Sequence, residues 1–102
     1  MRIEDEPRVF IEREYVCAGQ PMIVRLYQPT QQPTEEYKCE YEIRWPERTR
    51  RRHAYGADSI QALILAMNIV HVELTISDHY KAGQLTYFST SDLGLPVLDD
   101  DV

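Results

Sequence analysis

The densest chemistry in this sequence is the run "RTRRRH". Arg48, Arg50, Arg51 and Arg52 precede His53, and Arg44 stands four residues upstream. The chain's net charge is -6, so this basic run is out of keeping with the rest. A guanidinium carries a fixed charge and a planar fork of donors that fits carboxylate and phosphate alike. On an extended strand, side chains two apart share a face. Arg48, Arg50 and Arg52 are therefore expected to form one exposed row, with Arg51 pointing the other way. Trp45 and Tyr55 flank the run, as stacking platforms for single-stranded nucleic acid would. Three readings stand side by side. The run can be a solvated ladder paired across strands with Glu40, Glu42 and Glu47, a surface for an acidic protein, or a phosphate-tracking surface. The acidic total works against polyanions, and no nucleic-acid-binding motif is present.

Other residues capable of chemistry are scattered. His53, His71 and His79 lack the three- or four-residue spacing that puts two metal ligands on one helical face, and His71 and Glu73, two apart, do not meet on a helix. The serines at 59, 77, 89 and 91 have no G-x-S-x-G elbow around them. With four glycines there is no phosphate loop. Asp99 to Asp101 lie in a terminal segment where nothing tunes them. Cys17 and Cys39 fall on candidate strands and are expected to be buried free thiols. No catalytic set, metal site or cofactor is expected.

The elements that position these residues follow from periodicity. Residues 8–17, the turn "AGQP" and residues 22–28 read as a hairpin. "PTQQPTEE" is a surface loop. In "YKCEYEIRW", Tyr37, Cys39, Tyr41, Ile43 and Trp45 alternate with Lys38, Glu40, Glu42 and Arg44, the pattern of an antiparallel strand with one wet face. A fourth strand crosses the arginine run, and a short one covers residues 84–89. Between them, after Gly56, Asp58 or Ser59 can cap a helix. That helix is expected to start within two residues of Asp58 and run at least to Val72, with Tyr41, Ile43, Leu63 and Met67 in the core. The order β-β-β-β-α-β predicts an α+β domain of two layers: an antiparallel sheet of four to five strands with one long helix on one face. Its expected bounds are 8–96, between a mobile acidic N-terminus, 1–7, and a mobile acidic C-terminal tail, 97–102.

The helix carries more apolar surface than one sheet needs. Ile60, Leu63, Ile64, Met67, Val70 and Leu74 form the stripe expected on the sheet. Ala62, Leu65, Ile69, Val72 and Ile76 form a second, turned away from the first. The second must meet the C-terminal segment 93–98, a curled sheet edge or another copy of the chain. A homodimer with Leu65, Ile69 and Val72 in the contact is expected, since closed two-fold dimers are the commonest assembly.

"YGADSIQALILAM", followed by a short strand and the late Gly94-Leu95-Pro96, resembles a family of small bacterial proteins of unknown function. Its members show G-x-D-S-x-Q-A-L-x-L-A and a late G-L-P. The likeness covers residues 8–96 in layout and implies a common fold. It carries no catalytic or binding residue with it.

Nothing resembles a transmembrane run or a signal peptide, which leads to the expectation of a soluble cytoplasmic protein with no membrane partner. A non-enzymatic protein-interaction module, immunity-like or adaptor, with an acidic surface for a basic protein partner, fits size, charge and the missing catalytic set. The alternative is a small nucleic-acid-binding protein using the strand 44–55, with Arg44, Arg48, Arg50, Arg52 and Trp45 as its binding residues.

Overall fold

A computed structural model describes residues 7–96; of the expected mobile ends, 1–7 and 97–102, all but Pro7 lie outside the described residues. The strands are β1 (Val9–Cys17), β2 (Gln20–Tyr27), β3 (Thr30–Gln31), β4 (Tyr37–Arg44), β5 (Thr49–Gly56) and β6 (Leu85–Thr86). The helices are α1 (Ser59–Thr75) and the single turn α2 (Asp78–Lys81). All pairings are antiparallel. β5 pairs with β4 along its whole length. β2 and the short β3 share the other side of β4, and β1 and then β6 follow β2. α1 lies on one face, which is the α+β sheet-and-helix architecture the sequence predicts. Besides the single turn α2, two details were not foreseen. The loop "PTQQPTEE" contributes β3, and the last strand is cut to two residues because Phe88 and Ser89 turn with positive φ.

Local chemistry accounts for the turns and the helix start. Ala18 and Gly19 both have positive φ, 52° and 78°, as a two-residue hairpin turn matched to strand twist requires. Asp58 is the N-cap: its Oδ1 accepts from the Gln61 backbone N–H at 2.8 Å. The Gln61 Oε1 in turn accepts from the Ala57 N–H at 2.6 Å. Two orphan donors are thus satisfied reciprocally, one residue out from the usual capping box. This is a role for Gln61 that helical periodicity alone did not disclose.

α1 meets the sheet through a stripe that keeps Val70 and Leu74 of the expected one and replaces its first half by Ala62 and Ala66. Its buried residues are Ala62, Ala66, Val70 and Leu74, four apart. Leu63 and Met67 only flank the core, and Ile60 is 68% exposed. The cause is close approach. Helix and strand run so near each other at Gly56 that a Cβ there would lie 2.3 Å from the Ala62 backbone nitrogen. At that separation only small side chains fit beneath the first turns of the helix, so Ile60, Leu63 and Ile64 are displaced to its flanks, while Val70 and Leu74 are buried farther along. Tyr41 and Ile43 are buried as expected, with Tyr15, Met22, Val24 and the free thiols Cys17 and Cys39 around them. Burial pushes the Cys39 thiol up to about 11, with Glu40 adding to the shift.

The C-terminal segment closes the other half of the same face. Leu93 is buried, Tyr15 Oη donates to its carbonyl at 2.8 Å, and Arg13 Nη1 donates to the carbonyls of Leu93 and Gly94 at 3.0 and 2.7 Å. Leu95 and Pro96 border Met67. At 3.6 residues per turn Met67 lies about 140° around α1 from Val72. The segment 93–96 is therefore on the opposite flank from Leu65, Ile69 and Val72, and does not fold over them.

Candidate functional site

β5 is an edge strand: among the described residues no strand pairs with its outer side. In an antiparallel pair every second residue turns its N–H and C=O away from the partner. Every second residue of the eight in β5 therefore contributes to an open row of backbone donors and acceptors. The second apolar flank of α1 lies on the β5 side of the helix, as Ile76 beside Arg48 and Arg50 and the Glu73–Arg50 bond place it. Leu65 and Ile69 are half-buried, Val72 is 45% exposed and Ile76 is 61% exposed.

The predicted binding residues do not form one surface. Arg48 lies in the turn before β5, outside the strand, so the expected row of Arg48, Arg50 and Arg52 is broken at its first member. Arg50 and Arg52 share the helix side, since they stand across from the inward-facing Ile43 and Tyr41 of β4. Arg50 Nε donates to Glu73 Oε1 at 2.6 Å, and Glu73 also accepts from the Tyr41 hydroxyl. Burial first, and then this carboxylate, push the Tyr41 phenol well above its ordinary range. Arg44 and Arg51 are on the opposite, open face of the sheet. There Arg44 reaches Glu42 at 3.1 Å, and Arg51 reaches Glu40 at 3.0 Å while stacking on the Tyr27 ring at 4.2 Å. Glu42, expected on a wet face, is only 8% exposed between Arg25 and Arg44. Trp45 is no open stacking platform: it is 7% exposed, and its ring is occupied by His79, 5.5 Å away and 22° from parallel.

At the start of β5 the chain makes an open cleft of about 760 Å³, where Trp45, Arg48 and Arg50 meet Glu47, Glu73 and His79. No local pattern signals this gathering, because α2 brings His79 back to the β4–β5 turn across 32 positions. His79 Nε2 lies 3.0 Å from Glu47 Oε1, and Nδ1 lies 3.2 Å from Gln84 Oε1. Both ring nitrogens of His79 are thus engaged, one by a carboxylate and the other by a side-chain amide. Ser77, also on the cleft, is engaged at the start of α2, where its Oγ accepts from Tyr80 N–H and donates to the Leu74 carbonyl. The cleft thus offers charge without a nucleophile and base in reach of each other. Among the described residues no group of three His, Cys, Asp or Glu side chains converges as a metal requires, and no helix is long and apolar enough to cross a membrane.

The Glu47 hydrogen bond, with help from Gln84, raises the His79 pKa above its ordinary value, and the same bond lowers that of Glu47. The sign of the pH dependence follows. His79 contributes stability that is fully present below the ordinary histidine pKa and is lost as pH rises through its raised value. Glu47 contributes stability that is lost as pH falls through its lowered value. A proton NMR titration should find His79 titrating above ordinary histidine. Glu47→Gln should return it downward and remove the stability difference between those two limits; an unmoved His79 titration would refute the pairing.

Fold and edge together define a small two-layer α+β domain whose open strand is bordered by arginines and an apolar helix flank. A family model described as "Domain of unknown function (DUF6968)" matches residues 11–97, and the chain belongs to that family. No curated protein and no solved structure matches the chain significantly.

Proposed function

We propose that this chain is a non-enzymatic protein-interaction module of the bacterial cytoplasm, immunity-like or adaptor, that docks its partner along β5 and the α1 flank. The open edge beneath Leu65, Ile69 and Val72 carries this reading. Backbone groups supply affinity at such an edge and the neighbouring side chains supply selectivity. The charge beside the edge is basic, so the partner that suits this site is acidic rather than basic. The nucleic-acid alternative has less support. Its arginines are divided between two faces and partly neutralised by Glu40, Glu42 and Glu73, and its tryptophan is covered.

The test is comparative capture from a native extract. A partner held by the wild-type chain should be lost on Ile69→Glu, weakened about tenfold or more as for a buried apolar anchor. It should be kept on Ile60→Glu, about 180° around the helix. If the wild-type chain retains nothing that Ile69→Glu lacks, the reading fails.

A further inference from the structure

We propose that β5 accepts an added strand, and that the occupant is an extended acidic segment of a partner protein in which apolar and carboxylate side chains alternate. The inference rests on the docking reading above and specifies the partner's chemistry. An added strand continues the alternation of the sheet, so its side chains fall on two sides. On the helix side they would meet Leu65, Ile69 and Val72 together with Arg52, which calls for apolar residues and one carboxylate opposite Arg52. On the open side they would meet Arg51, which Glu40 only partly neutralises, and beside it His53 and Tyr55, where carboxylates suit and lysines do not.

The charges say which strands are refused. Arg50 and Arg51 have their own carboxylates in Glu73 and Glu40. Arg48 and Arg52 have no ion-pair partner among the described residues, although both are exposed. Charged residues on an edge guard it against casual pairing. Here the guard is of one sign, so it repels a basic strand and attracts an acidic one. It also disfavours a second copy paired along β5. A two-fold axis through that strand would bring Arg50, Arg51, Arg52 and His53 of both subunits together, and like charges opposite each other destabilise a ladder. The expected homodimer would have to use the apolar flank without the strand edge.

The probe is a short synthetic peptide of alternating valine and glutamate, titrated into the isotopically labelled full-length protein at physiological salt. Backbone amide shifts should concentrate in residues 49–56 and 65–76. Methylating the peptide's amide nitrogens along one edge should abolish binding, and along its other edge should leave it, since only one edge faces β5. Arg51→Glu combined with Arg52→Glu should weaken binding about tenfold, the sum of two reversed exposed charge pairs. An alternating valine–lysine peptide should not bind. Equal loss from methylation of either edge, or shifts confined to the cleft at Trp45 and His79, would overturn strand addition. So would tighter binding of mixed-sequence single-stranded DNA at the same residues. Light scattering of the free protein gives the last arm: a mass near twice 12.0 kDa that is halved by Ile69→Glu would assign the flank to a second copy and overturn the proposal. Failure of the peptide while Ile69→Glu still loses a captured partner would sink strand addition alone and leave the interaction module standing.

Discussion

Gly56→Ala should lower stability by about 3 kcal/mol or more, the upper end of overpacking costs, because the new methyl meets backbone rather than a movable side chain. Its Cβ would lie 2.3 Å from Ala62 N and 2.8 Å from Ala62 Cα. These atoms belong to the first turn of α1, held by Asp58 and the hydrogen bonds around it. Relief requires lifting the helix start off β5, which opens the contact that buries Ala62 and Ala66. Against a total stability of about 5–15 kcal/mol for a domain of this kind, that is a large fraction. The expected fall in Tm is about 10–20 °C. Gly83→Ala is the control. Gly83 has open space around it and strain only from its φ of 74°, so its cost should be near 1 kcal/mol. Equal effects from the two substitutions would show that conformation, and not the close approach, decides.

That close approach explains what the sequence could and could not reveal. Alternation in residues 37–45 reads directly as a strand because its period matches the pleat, and the burial of Tyr41, Ile43 and Cys39 follows from it. The start of α1 is legible because Asp58 caps by its own side chain. The buried stripe is not legible from hydrophobicity. A scale that favours large residues chooses Ile60 and Ile64, whereas a helix lying against glycine and alanine of a strand buries the small ones. The placement of the arginines was legible in part. The alternation of β5 separates Arg51 from Arg50 and Arg52, but nothing local says that Arg48 falls in the turn or that Glu73 of α1 takes Arg50. The cleft that joins Trp45, Glu47 and His79 depends on where α2 returns, a long-range fact that no local pattern encodes.

The apolar flank of α1 has the same origin. With the small residues used against the sheet, Leu65, Ile69 and Val72 are left on the side toward the open edge. A rotation of the helix that buried them would drive bulkier side chains into β5. The surface available for docking is therefore a by-product of how the helix must sit, and it adjoins the one strand whose backbone is unpaired.

Leu93→Ala should cost about 2–5 kcal/mol, the range for truncating a fully buried leucine. Leu93 is almost completely buried, so its truncation leaves a cavity in the core. The segment is fixed there by more than its side chain: Tyr15 and Arg13 both donate to the Leu93 carbonyl, and Arg13 donates to that of Gly94 as well. Gly94 has φ of 69°, and a Cβ on it would come within 2.9 Å of Arg13 Nη1 and 3.1 Å of the Tyr87 ring. The late Gly-Leu-Pro is thus a clamp on β1, with glycine supplying both the turn and the room for the arginine. Leu95, half-buried beside the open groove next to Met67, carries less of the load, and Leu95→Ala should cost about 1 kcal/mol. Chemical denaturation of the two variants decides the point. A loss on Leu93→Ala no greater than that on Leu95→Ala would mean that the segment rests on the sheet without closing its core.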